Sequence, residues 1–448
     1  MKKRYLYILL TVCVMGALGF TIIRFNSRSG QTYYELKNRK GPSAQTAEWT
    51  NTLKTATALS NQIKLNAGDN KARLALSALF IQEARITGDH VYYDMAAMKY
   101  VDEVLKNDPN NFEALIYKAL LFLSQHHFAD GLATATQAQK INPYNAFVYG
   151  ILVDANVELG NYSAAVENSD RMVSIRPDIR SYSRISYLRE IHGDYPGAIE
   201  AMKMAVQAGI PGDESSEWAR VQLGHLYENT GDLRNALMHY MISLQERPGY
   251  AYALAGQARI ATAGKDYQQA IKYYLQADSQ VNDYSFKEEL VDLYRLSKMN
   301  KQADDMANFV IEGMSKDAQS GQNDQNIGHY ADRELANAYL KINKPGKALD
   351  HAMLEYNRRP ENIDVNETVA WVYYNKGEYK EALPYITVAL KTNSKNPSLL
   401  CRAGLIYSKA GEKNKAKALL LQALEKNPNI SEELKNSASA ELNSLLHS

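Results

Sequence analysis

Two adjacent histidines, His126 and His127, are the side chains here that most invite a chemical reading. Imidazole is a common metal ligand and a proton carrier near neutral pH. No carboxylate or cysteine stands around them at ligand spacing, so they read as solvated histidines of a turn. The two cysteines, Cys13 and Cys401, add nothing to them. Cys13 lies inside an apolar N-terminal run, so neither a disulfide between the two nor a cysteine zinc site is expected. The chain has no Gly-rich phosphate loop, no serine elbow and no Cys-x-x-Cys. The reading is therefore of a protein that is not an enzyme, with no cofactor, no metal and no small-molecule substrate. A formal net charge of +1 gives no global field for nucleic acid, and none is expected as a partner.

What remains is surface, and the elements that present it. A chain of 448 residues is too long for one ordinary core, so it must divide into domains or extend as a repeat array. Its 45% hydrophobic and 23% charged content is that of a folded protein. The excess of 31 Tyr over 9 Phe suits half-exposed aromatic positions with an apolar ring and a polar tip.

Periodicity decides between the two. Pro109, Pro143 and Pro177 are spaced by 34 residues, as are Ala348, Ala382 and Ala416. Equivalent positions further back are Ala303, Ala270, Ala236, Ala198, Ala165, Gly131 and Ala97, with longer steps of 38 and 45 residues marking two insertions. Within one unit, Gly224 and Tyr227 share a helical face, Gly231-Asp232 breaks the helix, and Ala236, Tyr240 and Ser243 mark the inner face of a second helix ended by Pro248. A small residue lets two helices approach closely. The frame repeats as Ala370, Tyr373, Gly377, Ala382, Ala389 and again as Gly404, Tyr407, Gly411, Ala416, Ala423, Pro428.

With these residues the chain resembles the tetratricopeptide repeat family, whose unit of about 34 residues carries this small–Tyr–Ala–Pro frame. The resemblance covers residues 71 to 428, with Val153, Ser186 and Val291 in place of the small residue and Ala261 in place of the Tyr. It implies an all-α, right-handed superhelical solenoid of about ten helix pairs. Units 1–7 would occupy 71–315 and units 8–10 would occupy 329–428. A polar hinge loop at 316–328 would separate them, and a capping helix at 429–448 would carry the stripe Leu434, Ala438, Leu442 and Leu445. The resemblance also implies that the first helix of each unit lines a concave groove for a protein or peptide partner. Counted from the small residue, its partner-binding positions are Trp218, His225, Tyr252, Arg259, Tyr330, Arg333, Asn337, Trp371 and Tyr374. Aromatics and arginines are the types that dominate interface hot spots. The Lys–Asn–Arg carboxylate clamp of some family members is not repeated, since Leu120, Asp154, His225, Arg259, Trp371 and Leu405 stand where its Asn would be and only Asn337 matches.

The N-terminus adds a location. Lys2, Lys3 and Arg4 precede nineteen uncharged residues, Tyr5 to Ile23, a span of roughly 28 Å as a helix. Residues 1–30 read as a single-pass anchor holding the array on the non-cytoplasmic side of the cell membrane, although Arg24 and Arg28 lie beyond the run. A signal segment cleaved after Ala17-Leu18-Gly19, with export, is the alternative. A lipoprotein site would need a small residue before Cys13, where Val12 stands. Residues 31–70 read as a polar linker and an additional helix. The expected function is a membrane-tethered scaffold or assembly factor. Its rival is a regulatory protein that relays partner binding through a change in the superhelix, with the 316–328 hinge as its moving part.

Overall fold

The computed structural model describes residues 34–322 and 329–447. The apolar run 5–23 therefore lies outside the described residues, and within them no helix is long and apolar enough to cross a membrane. The described residues form 22 α-helices, one 3-10 turn at Gly41–Gln45 and no strand. A leading helix, Ala47–Leu65, precedes ten helix pairs. Units 1 to 4 are Asn70–Thr87 with His90–Asn107, Phe112–Ser124 with Phe128–Ile141, Ala146–Glu158 with Tyr162–Ile175, and Ile179–Ile191 with Tyr195–Ala208. Units 5 to 7 are Glu214–Asn229 with Leu233–Glu246, Ala251–Ala263 with Tyr267–Asp278, and Tyr284–Leu296 with Asn300–Gln322. Units 8 to 10 are Asp332–Lys341 with Pro345–Arg358, Ile363–Lys376 with Tyr379–Ala389, and Pro397–Lys409 with Lys413–Leu424. Glu432–Leu446 closes the array.

Local chemistry sets the boundaries. Asn111, Asn145, Asn362 and Asn396 each accept a backbone N–H at the start of a first helix, and Asp194, Asp232 and Asp266 do the same for second helices. Each such cap is worth about 1 kcal/mol. The recurring alanines Ala165, Ala198, Ala236, Ala270, Ala303, Ala348, Ala382 and Ala416 are all 0% exposed, because the paired helices meet there. Tyr240 is also fully buried, and a Cβ added to Gly256 would come within 2.7 Å of its ring. The small positions of units 5 and 6 thus leave the slot that this tyrosine fills. The last helix seats Leu434, Ala438 and Leu442 against Leu400, Cys401, Leu405 and Leu420, covering the final pair. Burial there pushes the Cys401 thiol up to about 11.

Two segments differ from their sequence reading. Lys316–Gln322 is helical, the end of a 23-residue second helix, and not part of a polar loop. Tyr284 donates a hydrogen bond to Asp317 at 3.1 Å, tying this extension to the partner helix. The polar linker hides a core residue, Arg39, which is 4% exposed. Arg39 donates to both Glu83 oxygens at 2.8 and 2.5 Å, meets Glu48 at 2.9 Å and lies over the Trp49 ring.

The decisive tertiary feature is that the array coils back onto itself. The Asn282 amide donates to the Thr87 carbonyl, that of Tyr330 to Gln125 and that of Asn429 to Glu228, at 2.9, 3.1 and 3.1 Å. Between them, Asn362 donates to the Glu158 carbonyl at 3.0 Å, and the Ile363 amide donates to the Tyr162 hydroxyl at 2.9 Å. These partners lie close to 200 residues apart, 201 for the Ile363–Tyr162 bond, which is about six units. One turn of the superhelix therefore takes about six units, and units 7 to 10 rest on units 1 to 5. Glu48, in the leading helix, joins the same seam through Arg247 at 3.0 Å.

Candidate interaction surface within the coil

The turns between paired helices create the seam, and His126 and His127 belong to it. They are not solvated turn residues: His127 is 9% exposed and stacks on Tyr330, with ring centroids 4.2 Å apart. His126 donates from Nδ1 to the Tyr330 carbonyl at 2.7 Å, and its ring lies 4.3 Å from that of His329. Burial, helped by His329, holds the His126 imidazole down to about 3. Among the described residues no group of three His, Cys, Asp or Glu side chains is placed to hold a metal.

The nine positions counted along the first helices divide by surroundings. Tyr330 precedes its helix and sits at the seam, with the Arg358 guanidinium 3.9 Å over its ring. Trp218 and Tyr252 are half-buried, with Trp218 against the cluster around Tyr195, Met202 and Leu223. Tyr252 lies edge-on to Tyr250 and Phe286, at centroid distances of 5.6 Å each. Asn337 is half-buried on the first helix of unit 8.

His225 and Arg259 join a single polar network. The Arg259 guanidinium meets both oxygens of Glu228, at 3.1 Å for the closer contacts, and donates to the Tyr240 hydroxyl at 3.2 Å. It also donates to Nε2 of His225, and the Tyr240 hydroxyl donates to Glu228. Asn429, from the next turn, donates its side chain to the same carboxylate at 2.8 Å. Burial and the Arg259 charge hold His225 down to about 4, so it stays neutral and accepts from the arginine. Burial alone would raise the Glu228 carboxyl, but Arg259, His225 and Tyr240 outweigh it and keep it below its ordinary value.

The remaining positions form a more open group. Trp371 and Tyr374 stack at 4.6 Å with an interplanar angle of 6°, and the Arg402 guanidinium lies 5.2 Å over the Trp371 ring. Arg402 donates to Glu367 at 3.0 Å. Arg333 lies 3.7 Å from both Glu334 and Asp364, too far for short ion pairs. Burial opposes its charge, but Glu334, Asp364 and Glu158 together raise it. Since Glu158 belongs to unit 3 and Asp364 to unit 9, opposite sides of the coil face each other here.

Counting aromatics and arginines missed the carboxylates between them. Glu190, Glu288 and Glu289 have no ion-pair partner among the described residues, and burial pushes the first two up to about 7. Glu190 and Glu228 fall at the same place in successive units, so the 38-residue step between them carried this signal.

Residues 221–284 and 397–430 match tetratricopeptide repeat models. No curated protein matches the chain. Among solved structures it is similar to TTC0263, a thermophilic TPR protein of Thermus thermophilus, with 20% identity, 44% of this chain and 99% of that one covered, and a TM-score of 0.38. A tetratricopeptide repeat protein from Parabacteroides merdae aligns at 17% identity over 60% of this chain and 98% of its own, with a TM-score of 0.35. The human IFIT1 dimer with PPP-AAAA aligns at 15% identity over 76% of this chain and 78% of that one, with a TM-score of 0.48. The two family matches fall on units 5 to 6 and on unit 10, and the described residues form an all-helical array that carries tetratricopeptide repeats at those units.

Proposed function

We propose that this protein is a membrane-tethered scaffold that holds an extended segment of a protein partner on the inner face of the coil, centred on units 8 to 10. Tetratricopeptide arrays are protein-interaction folds, and each added unit lengthens such a surface without enlarging a core. The observation that supports this centre is the Trp371–Tyr374 stack under Arg402, with Arg333 at 3.7 Å from Asp364 of the same helix; both guanidinium Nε atoms are buried without a hydrogen-bond partner among the described residues. An unspent donor beside an aromatic step is what a partner carboxylate or carbonyl would satisfy. Trp218, Tyr252 and Asn337 extend the surface along the first helices, while His225, Arg259 and Tyr330 serve it by fixing the coil.

The test is a paired measurement on partners captured with residues 31 onward. Trp371→Ala and Arg333→Ala are each expected to weaken partner binding by roughly 2 kcal/mol, about thirtyfold, while costing little stability. Unchanged affinity with a stability loss of about 3–5 kcal/mol for Trp371→Ala would show that the stack is core, and would refute the assignment. The tether rests on the uncharged run from Tyr5 to Ile23. The protein should resist carbonate extraction with its first residues intact, and an N-terminus at Phe20 would establish export instead. The relay reading gains one support, since partner binding that strained the seam would move units 7 to 10 against units 1 to 5.

A further inference from the structure

Where the two turns of the coil meet, they leave a partly open cavity of about 430 Å³, between units 1 and 2 on one side and units 7 and 8 on the other. Among the described residues five carboxylates line it, Asp94, Asp283, Glu288, Asp317 and Glu334, and no lysine or arginine does. Asp94 is already matched by Ser124 at 2.6 Å and by His90 at 3.6 Å, and Asp317 by Tyr284. Two acceptors on the lining remain open. Oε1 of Gln125, a residue only 3% exposed, and Oε2 of Glu334 are buried without a hydrogen-bond partner among the described residues. His126 adds no positive charge, since its imidazole stays neutral and its Nδ1 hydrogen is committed to Tyr330. The rest of the wall is apolar or aromatic, with Val91, Leu123, Met314 and Tyr252.

Arg333 reaches only Oε1 of Glu334, at 3.7 Å, so the buried acceptors left open call for a donor that carries positive charge. A bare metal ion does not fit, because no three ligating side chains converge among the described residues, and the volume is in the range of small-molecule pockets. We propose that this cavity between the superhelical turns is a binding site for an alkylammonium group. The ammonium meets Glu288, Glu334 and the Gln125 carbonyl oxygen, and the hydrocarbon stem lies along Val91, Leu123 and Met314. The group can come from a free aliphatic amine or from a lysine side chain of a partner. The site adjoins the proposed partner surface through Arg333, which lies 3.7 Å from Glu334 Oε1, but its open acceptors are not those of that surface, and it stands whether or not that surface binds protein.

Calorimetric titration of the full chain with 1,5-diaminopentane, spermidine and a short peptide with a central lysine tests this, with 1,5-pentanediol as the neutral counterpart. At least one amine probe is expected to bind, and the diol to bind at least about a hundredfold more weakly. Glu288→Gln with Asp317→Asn is expected to weaken amine binding about tenfold or more while the helical circular dichroism is retained. Should that double variant fail to fold, Ser285→Trp at the exposed rim leaves the carboxylates in place and is expected to block uptake. Binding of the peptide but of neither free amine would assign the group to a partner lysine. The proposal fails if no amine probe binds, if the diol binds as well as the amines, or if the variants that fold bind amines undiminished.

Discussion

Replacing Gly231 by Ala is expected to cost on the order of 4 kcal/mol, while the same change at Gly411 costs about 1–2 kcal/mol. Both glycines end the first helix of a unit with positive φ, 79° and 93°, where a side chain is strained. Their sequence contexts are alike. Their surroundings are not: a Cβ on Gly411 would meet nothing within 4 Å among the described residues, whereas one on Gly231 would press into the Lys426 carbonyl oxygen of the next turn. Relieving that clash pulls Asn429 away from Glu228 and breaks two hydrogen bonds, one of them to a carboxylate. The difference between the variants therefore measures the seam, with left-handed strain common to both. Urea unfolding followed by circular dichroism gives the energies, and hydrogen exchange at the Asn429 amide gives the location. Equal losses at the two sites, with that amide still protected in the Gly231 variant, would mean that the turns do not rest on each other.

Arg259→Ala is the second large effect, expected at about 3–5 kcal/mol because it strands a buried carboxylate. Glu228 is 3% exposed, and Arg259 supplies its only ion pair among the described residues. Arg333 makes the comparison. Its contacts are 3.7 Å long and its partner Asp364 is 44% exposed, so Arg333→Ala is expected to cost less than about 1 kcal/mol. The network also has a pH signature with a definite sign. Glu228 is held below its ordinary value when folded, so its contribution is present above the usual carboxylate range and fades as pH falls through the depressed value. Arg259→Ala removes that contribution, so wild type and variant should converge in stability under acid. A variant as stable as wild type at neutral pH would show that Arg259 is free for a partner after all.

Most of the array was legible in the sequence, because its contacts are between neighbours. The 34-residue alanine period reports where paired helices cross, and those alanines are fully buried. Gly224 reports one wall of the slot for Tyr240, while Gly256, which the repeat frame does not mark, forms another. The seam was not legible, for a physical reason. Which units meet one turn later depends on a small rotation per unit summed over six units, and no single unit encodes that sum. Gly231 and Gly411 show the gap directly, with the same local role and opposite surroundings. For the same reason His126 and His127 read as solvated, although Tyr330 and His329 cover them from the next turn. Arg39 escaped because nothing in a polar stretch marks the buried Glu83 that it reaches. The stretch after Lys316 read as a hinge by its polarity, yet Tyr284 anchors Asp317 and the helix runs to Gln322. In the candidate surface, the aromatics and arginines were counted by position, and their division into seam, network and open stack required the coil.

The most direct test of a coil that closes on itself is one distance, between spin labels at Ser163 in unit 3 and Glu361 before unit 9, both exposed. The chain segments near them are in contact, since the Ile363 amide donates to the Tyr162 hydroxyl at 2.9 Å. Electron–electron resonance should therefore give a narrow distribution below about 25 Å in the full-length protein. An open array would separate units 3 and 9 by six helix pairs spaced at roughly 10 Å, on the order of 60 Å. A distribution centred near the longer value would contradict the seam, the cavity between the turns and the facing of Glu158 toward Arg333 together.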